Sequence, residues 1–399
     1  MSCIIRPIKK AITLILLLCL NSIFLTGCWD RTEVNDLALI LAAGIDKGEK
    51  NNIELSAQIY IPQGSQGGQQ SGMSSGSSSN QSFVRSAEGE TIADAMARLQ
   101  EELTRKVFWG QNEVLIIGEK LAKAGISDEI DFWLRHSEPR IRADVFVSKG
   151  RAKTVLGAIP ELERDAAKQL RKIVKTHIGV EVTVKDLSQM LSGESAPAVL
   201  PWVEELPPSL MDSKKKEIPI INGVAIFKEG KMVGRLDDKV TRGILWPRNE
   251  IKSGVITIAF DDEDGHISLH LLRSHTELTP SIKDGKWSMH INTNVDLEVI
   301  QNTTKVNLFN PKVIKKAEQK VRDEIEQRER LAFSEVHKKL NADIFGFADE
   351  FQRKYPQIWK QKKDEWNEIF PEVAVSFETK VKIERTGLAT GQGQRGVEH

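Results

Sequence analysis

The residue with the most specific chemistry in this sequence is Cys28, which ends the stretch LTGC at positions 25–28. An aliphatic residue and two small residues before a cysteine form the lipobox pattern of bacterial lipoproteins. A thiol readily forms a thioether to diacylglycerol, and the small residues let the chain enter a peptidase within the membrane. We therefore predict that residues 1–27 are a signal peptide and that Cys28 is the site of lipid attachment, with a covalent diacylglycerol as anchor.

The residues before Cys28 support an export signal. Three basic residues, Arg6, Lys9 and Lys10, precede the apolar run AITLILLLCL at 11–20. The alternative is a transmembrane helix, which needs about 20 consecutive apolar residues. Asn21 and Ser22 interrupt this run, and small residues follow it, so the order of charges and apolar residues favours a cleaved signal.

The other two cysteines, Cys3 and Cys19, lie inside the predicted signal peptide. Cleavage and lipidation would leave the mature chain with no thiol for a disulfide, a metal or a nucleophile.

Two further patterns point to catalysis or metal binding, and neither is assigned. The stretch GMSSG at 72–76 matches G-x-S-x-G, but a nucleophile elbow requires a strained turn between a strand and a helix, and this one lies in a Ser/Gly tract. His266 and His270 are separated by about 13 Å along a strand, too far for one ion, so we interpret them as a solvated face.

Two pairs of residues leave alternatives open. Arg140 and Arg142, in EPRIR, fit either an anion site or an ordinary surface pair, and the second is favoured. Trp359 and Trp366 are seven residues apart and share a helix face, which indicates a core stripe or an aromatic contact with another subunit.

The sequence thus predicts no catalytic residue, no cofactor-binding residue and no metal ligand. The full chain has 56 basic and 56 acidic residues, and loss of the three basic residues before Cys28 leaves 53 against 56, a net charge of −3. This balance argues against nucleic acid as a partner and against a polybasic membrane patch, so the lipid would provide the tether.

The elements that would carry these residues begin with a mixed domain, predicted over 28–200. LALILAAGID and NIELSAQIYI read as a hairpin, and helical and strand patterns alternate after it, which is typical of an α/β or α+β domain. The tract at 63–82 is rich in Gly, Ser and Gln and is predicted to be a disordered loop. SDEIDFWLRHSEP reads as a helix with Ser127 as its N-cap.

The middle of the chain is less regular. The stretch at 193–219 is rich in Pro, Ser and charge and is interpreted as a linker or an exposed extended segment, and NGVAIFKEGKMVGRLD as a hairpin. We assign 201–250 to a small middle domain.

The last third has the clearest pattern. Four alternating stretches, SGVITIAF, HISLHLLRSHTEL, KWSMHINTNVDLEVI and EVAVSFETKVKIERTG, predict an antiparallel four-stranded sheet over 251–386. A helix from Pro311 to about Leu340, with Asn310 as N-cap, lies between the third and fourth strands and packs on the sheet. Its apolar stripe is broken at Arg328 or Glu329. Residues 387–399 are predicted to be a disordered tail.

Several segments resemble the spore germinant-receptor C-subunit lipoproteins, the Ger(x)C family. They are, in chain order, GCWDRTEVNDLALILAAGID, GQNEVLIIGEKLAKAGI, NGVAIFKEGKMVGRLDDKVTRGILW, and NADIFGFADEF with YPQIWKQKKDEWNEIFPEVAVSFETKVKIERTG. The resemblance covers nearly all of the mature chain, and the Gly/Ser tract departs from it as an insertion.

The resemblance implies a mixed α/β, three-domain lipoprotein, anchored on the outer face of the spore inner membrane. There it would act as a non-enzymatic C subunit of a nutrient receptor, together with A and B subunits. Only Cys28 carries over as a functional residue.

Two other classes remain alternatives. A solute-binding lipoprotein would pair two α/β lobes around a cleft, which fits the antiparallel last third poorly. A lipid-anchored hydrolase would need a nucleophile constellation that the sequence does not show.

Overall fold

The computed structural model describes residues 34–60, 82–158, 160, 162–176, 179–193, 197–205 and 218–385. Within these ranges the chain forms a nine-stranded sheet and a four-stranded sheet, connected by helices. The predictions for the signal peptide at 1–27, the tail at 387–399 and all but Ser82 of the tract at 63–82 lie outside the described residues.

The described strands are β1 (Leu37–Lys47), β2 (Ile53–Tyr60), β3 (Ser82–Gly89), β4 (Lys106–Phe108), β5 (Val114–Gly118), β6 (Asp144–Ser148), β7 (Pro197–Glu205), β8 (Pro219–Lys228), β9 (Lys231–Leu236), β10 (Val255–Ile258), β11 (Ile267–Lys283), β12 (Lys286–Asn302) and β13 (Ala374–Arg385).

The described α-helices are α1 (Ile92–Glu101), α2 (Glu119–Ala124), α3 (Ser127–Arg135), α4 (Ala152–Gly157), α5 (Ala166–Lys175), α6 (Val184–Leu191), α7 (Asp238–Leu245), α8 (Pro311–Phe333), α9 (Phe347–Lys354), α10 (Pro356–Lys362) and α11 (Trp366–Ile369). A π-helical segment, Ser334–Leu340, continues α8. Single 3-10 turns lie at Val34–Asp36, Glu49–Asn51, Trp109–Gln111, Lys363–Glu365 and Phe370–Glu372.

The first sheet has the strand order β3-β2-β1-β5-β6-β7-β8-β9, with β4 also paired to β1. Its four central strands run parallel, and the outer pairs on both sides are antiparallel. The predicted hairpin of the first two strands is confirmed by the antiparallel pairing of β1 with β2.

Helices cover both faces of this sheet. Along β5, Val114 and Ile116 pack towards α4 and α5, while Leu115 and Ile117 pack into the core on the other face, which includes α1, α2, α3 and α6. Strands that are buried on both faces read as continuous apolar runs, as parallel strands in the middle of a sheet do. The prediction of a mixed α/β arrangement is therefore confirmed.

The linker or exposed extended segment predicted at 193–219 is wrong for Pro197–Glu205, which form the largely buried strand β7. Pro197 and Pro201 suggested an irregular segment, but Val199 and Leu200 are fully buried in the sheet. Pro201 is accommodated because the register with β8 shifts between Pro201 and Val203, and proline within a sheet is tolerated at such a bulge.

The hairpin of β8 and β9 forms as predicted, but it extends the first sheet. The structure thus differs from the small middle domain predicted at 201–250, and position 200 lies inside β7. The pattern along 219–236 predicts a hairpin but not the sheet that the hairpin joins. Local periodicity does not encode which strand pairs with β8, and the structure shows that this strand is β7.

The second sheet is built around a long hairpin. β11 and β12 have 17 residues each, and a two-residue turn at Asp284 and Gly285 joins them. Both turn residues have positive φ, the combination that a type I′ turn requires and that Asp-Gly supplies. α8 covers one face of the sheet, burying Ala317, Val321 and Ile325 against the strands, so the predicted four-stranded sheet with a long helix is confirmed.

The strand directions correct one detail of that prediction. β10–β11 and β11–β12 are antiparallel, but β12 and β13 are parallel, so the sheet is mixed. After β12 the long α8 runs back along the sheet, and β13 therefore starts beside Ser288 and follows β12 in the same direction.

The start of α3 also differs from the prediction. Ser127 is the first helical residue, and Ile126 takes the N-cap position without a side-chain bond. Asn310 caps α8 as predicted, since its side chain accepts a hydrogen bond from the Lys312 N–H at 3.0 Å.

The two sheets share a continuous hydrophobic core. It runs from the first sheet through α7 to an aromatic group beside the turn end of the β11–β12 hairpin. Within this group the ring centroid of Trp366 lies 5.8 Å from that of Phe351 and 5.6 Å from that of Phe370. The second sheet is thus fixed against the first by buried side chains rather than by a free linker.

Candidate functional site

The lipid-attachment residue predicted from the sequence, Cys28, lies outside the described residues. The described residues begin at Val34, and the first strand begins at Leu37. The anchor at Cys28 therefore stays a prediction.

His266, directly before β11, and His270, within β11, do not form a metal site with other side chains of the described residues. His266 is exposed, and the Nδ1 of His270 lies 3.6 Å from Glu298 Oε1 on the neighbouring strand. Among the residues that the structure describes, no group of three or more His, Cys, Asp and Glu side chains is placed to hold a metal ion.

Arg140 acts as a surface tie. Its guanidinium donates to the Gly110 carbonyl oxygen and to Gln111 Oε1 at 2.9 Å, and it lies 3.6 Å from Glu113 Oε1. Arg142 is exposed. These contacts support the interpretation as surface residues rather than as an anion site.

Trp359 and Trp366 belong to the core, which decides between the two alternatives for this pair. Their side chains are 2% and 4% exposed, and their ring centroids are 5.1 Å apart. Neither ring is accessible to another subunit in this arrangement.

One constellation was missed by the sequence analysis. Ser376 lies opposite His290 across β12 and β13, with its Oγ 3.0 Å from His290 Nδ1, and Glu378 Oε2 lies 3.3 Å from His290 Nε2. The residue types are those of a hydrolase, and the signal for it is the i, i+2 spacing of Ser376 and Glu378 on a strand face.

The surroundings of this constellation do not suit catalysis. His290 and Glu378 are 41% and 50% exposed, on the sheet face opposite α8. Nucleophilic catalysis needs a sheltered site in which oriented donors stabilise the developing oxyanion. On an open sheet face these contacts are ordinary cross-strand polar pairs.

A second polar group is buried between the long helix and the second sheet. Thr276, Thr293 and Thr379 lie directly opposite one another on β11, β12 and β13, and all are buried. Glu329 of α8 faces this threonine row and is only 1% exposed. The break that the sequence shows in the apolar stripe is thus Glu329, while Arg328 is only half-buried.

The hydrogen bonds in this group have a defined direction. The Thr293 hydroxyl donates to Glu329 Oε1 at 3.1 Å, so its oxygen accepts from Thr276, whose Oγ1 lies 3.0 Å away. The side chain of Asn249 holds Thr276 in place through both backbone groups, at 2.6 and 2.7 Å. Within the described ranges, Glu329 Oε2 and the Thr379 hydroxyl have no hydrogen-bond partner.

The environment of Glu329 favours its neutral form. Burial is the main cause that raises the pKa of Glu329 to about 8; the charge of Glu326 acts in the same direction, whereas the hydrogen bond from Thr293 and the charge of Arg330 oppose the shift. The group is therefore mainly protonated at neutral pH. A carboxylic acid kept neutral in this way is a proton-sensitive point in the packing of α8 on the sheet.

A close helix contact lies beside this group. A Cβ added at Gly243 in α7 would lie 2.2 Å from the Arg328 carbonyl oxygen and 2.8 Å from the Ala332 Cβ. Only glycine allows α7 to approach α8 this closely. The contact joins the first sheet's last helix to the helix that covers the second sheet.

A second buried carboxyl, Asp343, stabilises the start of a helix. Its carboxylate accepts from the backbone N–H groups of Phe347 and Ala348 at 2.9 and 2.7 Å, at the start of α9. Burial raises the pKa of Asp343 to about 7, although these two hydrogen bonds act in the other direction. The residue has a capping role that explains its burial.

No helix within the described part of the chain combines the length and hydrophobicity needed to cross a membrane.

The described chain is thus a two-sheet α/β protein: helices cover both faces of a first sheet whose central strands are parallel, a long helix covers a second sheet, and the two sheets share a core. The chain matches two family models in order: "Spore germination protein N-terminal domain" over residues 30–205 and "Spore germination B3/GerAC like, C-terminal" over residues 222–387. Together they cover well over half of the chain, and the chain therefore belongs to the spore germinant-receptor C-subunit family.

Relatives with known names are similar along nearly their whole length. The chain is 28% identical over 402 residues to spore germination protein KC of Bacillus subtilis (strain 168), covering 96% of this chain and 97% of the relative. It is 30% identical over 390 residues to YfkR of the same organism, covering 95% and 98%.

A solved structure shares the fold. The crystal structure of the GerBC protein superposes with a TM-score of 0.56 and 17% sequence identity, covering 86% of this chain and 97% of that one. At this identity the likeness supports the fold only.

Proposed function

We propose that this protein is the lipid-anchored, non-enzymatic C subunit of a nutrient germinant receptor, which acts in spore germination together with A and B subunits. It would be held on the outer face of the spore inner membrane by a diacylglycerol on Cys28. The proposal goes beyond family membership in three respects: the anchor, the complex and the absence of catalysis.

The observation that carries the proposal is the match of both family models, in order, along the mature chain. Whole-length similarity to spore germination proteins supports a shared role more strongly than a match of one domain would. The lipobox at 25–28 supports the anchor, because it places a thiol directly after a signal-like segment.

Two features support a role in assembly rather than in chemistry. The Ser376, His290 and Glu378 contacts are open to solvent, and the perturbed carboxyls Glu329 and Asp343 are buried in packing or capping roles.

Deletion of the gene in its host tests the role. We expect the germination response to particular nutrients to be lost, as measured by the fall in optical density and the release of dipicolinate from spores. If every nutrient response stays intact and the receptor subunits keep their normal levels, the proposal is wrong.

A Cys28→Ala variant tests the anchor. We expect the precursor to stay uncut and to carry no diacylglycerol, because the modified thiol is required for processing, and mass spectrometry of the membrane fraction measures both. Cys19→Ala, within the predicted signal peptide, is the matched control and should be processed normally. Normal cleavage of the Cys28→Ala chain would contradict the anchor.

A further inference from the structure

The amino-terminal end of the first sheet carries partly exposed apolar side chains on one face. Leu39 of β1 lies directly opposite Tyr60 of β2 on one side and Phe108 of β4 on the other, so these three side chains share a face. Leu37 lies on the same face, because it precedes Leu39 by two residues within β1. We call this set of four side chains the strand-start face.

The helices that cover this side of the sheet end before the strand-start face. Gln58, two residues before Tyr60, donates to the Leu156 carbonyl oxygen of α4 at 3.1 Å and accepts from the Ala167 N–H of α5 at 3.4 Å. Further towards the end of the sheet, Phe108 is 37% exposed, and the other three side chains are half-buried. None of the four belongs to the hydrophobic clusters that the described residues form.

The chain connects the strand-start face to the predicted lipid over a short distance. Nine residues lead from Cys28 to Leu37, and a chain of that length spans at most about 30 Å. Val34, in the turn directly before β1, is 59% exposed and extends the apolar surface towards the lipid along the chain. Lys47, at the other end of β1, lies about 33 Å beyond Leu37.

The composition of the strand-start face suits a lipid surface better than a protein partner. A tyrosine, apolar side chains and a lysine are typical of the membrane interface, and Lys106, opposite Leu37 on β4, is exposed without an ion pair among the described residues. Asp36, before β1, and Glu102, before β4, are exposed acids, so apolar contact rather than net charge provides the attraction. Four partly exposed side chains supply far less area than the roughly 800 Å² per partner that a stable protein interface buries.

We propose that the strand-start face docks on the phospholipid surface, with Phe108 and Leu37 inserted at the boundary of headgroups and acyl chains and Tyr60 and Lys106 among the headgroups. The lipid on Cys28 supplies the affinity, and the face fixes the orientation of the first sheet. This inference rests on the proposed anchor at Cys28 but not on receptor assembly.

Nitroxide labels on single cysteines measure this orientation in the mature, lipidated chain, reconstituted in vesicles of phosphatidylcholine and phosphatidylglycerol. Phe108→Cys and Lys106→Cys place labels on and beside the strand-start face, and Lys47→Cys, exposed at the other end of β1, is the matched control. Power-saturation EPR compares collisions of each label with oxygen, which partitions into the bilayer, and with a water-soluble nickel chelate. We expect the ratio of oxygen to nickel collisions to be at least threefold higher at positions 106 and 108 than at position 47.

A second substitution tests which side chain makes the contact. Phe108→Asp, added to the chain labelled at Lys106→Cys, should lower the ratio to the Lys47→Cys value, because a carboxylate opposes insertion into an apolar environment. Phe309→Asp, which changes an exposed phenylalanine before α8, is the matched control and should leave the ratio unchanged. Circular dichroism checks that each labelled chain is folded.

The inference is overturned if positions 106 and 108 give the same ratio as position 47, or if Phe108→Asp leaves the ratio at position 106 unchanged. Dipolar broadening between labels at position 108 on two chains would show a contact between copies of this chain and would also overturn it. The natural chain separates this test from the anchor. Its lipidated Cys28 should take up no label, whereas labelling of that residue would contradict the anchor itself.

Discussion

Glu329 is an ionisable residue in a buried environment that disfavours its charged form. It occupies a position of the apolar stripe of α8, faces a row of threonines and is kept neutral by burial. A carboxyl whose pKa is raised in the folded state binds its proton more tightly there than in the unfolded chain. It therefore stabilises the fold fully below its unfolded pKa, and this stability is lost as pH rises through the folded value of about 8.

The variant Glu329→Gln should remove this pH dependence. Between about pH 5 and pH 8 the unfolded carboxyl is ionised while the folded one is not, so stability falls across this window in the natural chain. We expect the variant to be more stable than the natural chain at pH 9, by a few kcal/mol at most, and similar to it at pH 5.

Urea unfolding of both chains across this pH range measures the effect. Glu101→Gln, at an exposed position of α1, is the matched control and should follow the natural profile. Parallel pH profiles for the natural chain and Glu329→Gln would show that the buried carboxyl does not titrate as described.

At the scale of elements, α7 and α8 form the joint between the two sheets. Gly243 permits their contact, and no pattern in the sequence marks it, because a glycine inside a helix looks merely unfavourable until its neighbour is known. Local patterns did predict the strands of the second sheet, the long helix and its Asn310 cap, since these depend on periodicity and capping within a short stretch.

Gly243→Ala should destabilise the protein. The methyl group would gain about 1 kcal/mol of helix propensity, but it would clash with the Arg328 carbonyl and push the helices apart, at a cost that exceeds the gain. We expect a net loss of about 1–3 kcal/mol in the free energy of unfolding, measured by urea denaturation.

Gly157→Ala is the control for this change. Gly157 is also helical, at the end of α4, and an added Cβ there would have no neighbour within 4 Å. That variant should be unchanged or slightly more stable. Equal stability of Gly243→Ala and the natural chain would contradict the close packing of α7 on α8.

At the scale of the whole molecule, a shared core makes the two sheets one folded body. The sequence predicted the kinds of domain but not their connection, because β7 joins the first sheet by pairing with β6, about 50 residues earlier in the chain, and β8 and β9 extend the sheet from β7. The fourth strand, β13, was predicted, but its parallel direction was not, because strand direction depends on the path of the chain through α8 rather than on local periodicity. The buried polar group around Glu329 could be predicted only in part. The sequence shows a break in the apolar stripe of α8, but the threonines that face Glu329 lie on three different strands and share no local pattern.

The arrangement also bears on the proposed role as a receptor subunit. The core and its perturbed carboxyls lie inside, whereas the predicted lipid site precedes the first strand by nine residues, from Cys28 to Leu37. A short connection of this kind would keep the folded body close to the membrane surface.

Affinity purification from spore membranes, through a tag at the C-terminus of this chain, tests the central claim most directly. Mass spectrometry of the purified material should identify the A and B subunits of one germinant receptor and a diacylglycerol-modified Cys28. Recovery of the chain from the soluble fraction, with an unmodified Cys28 thiol and without receptor subunits, would contradict the account.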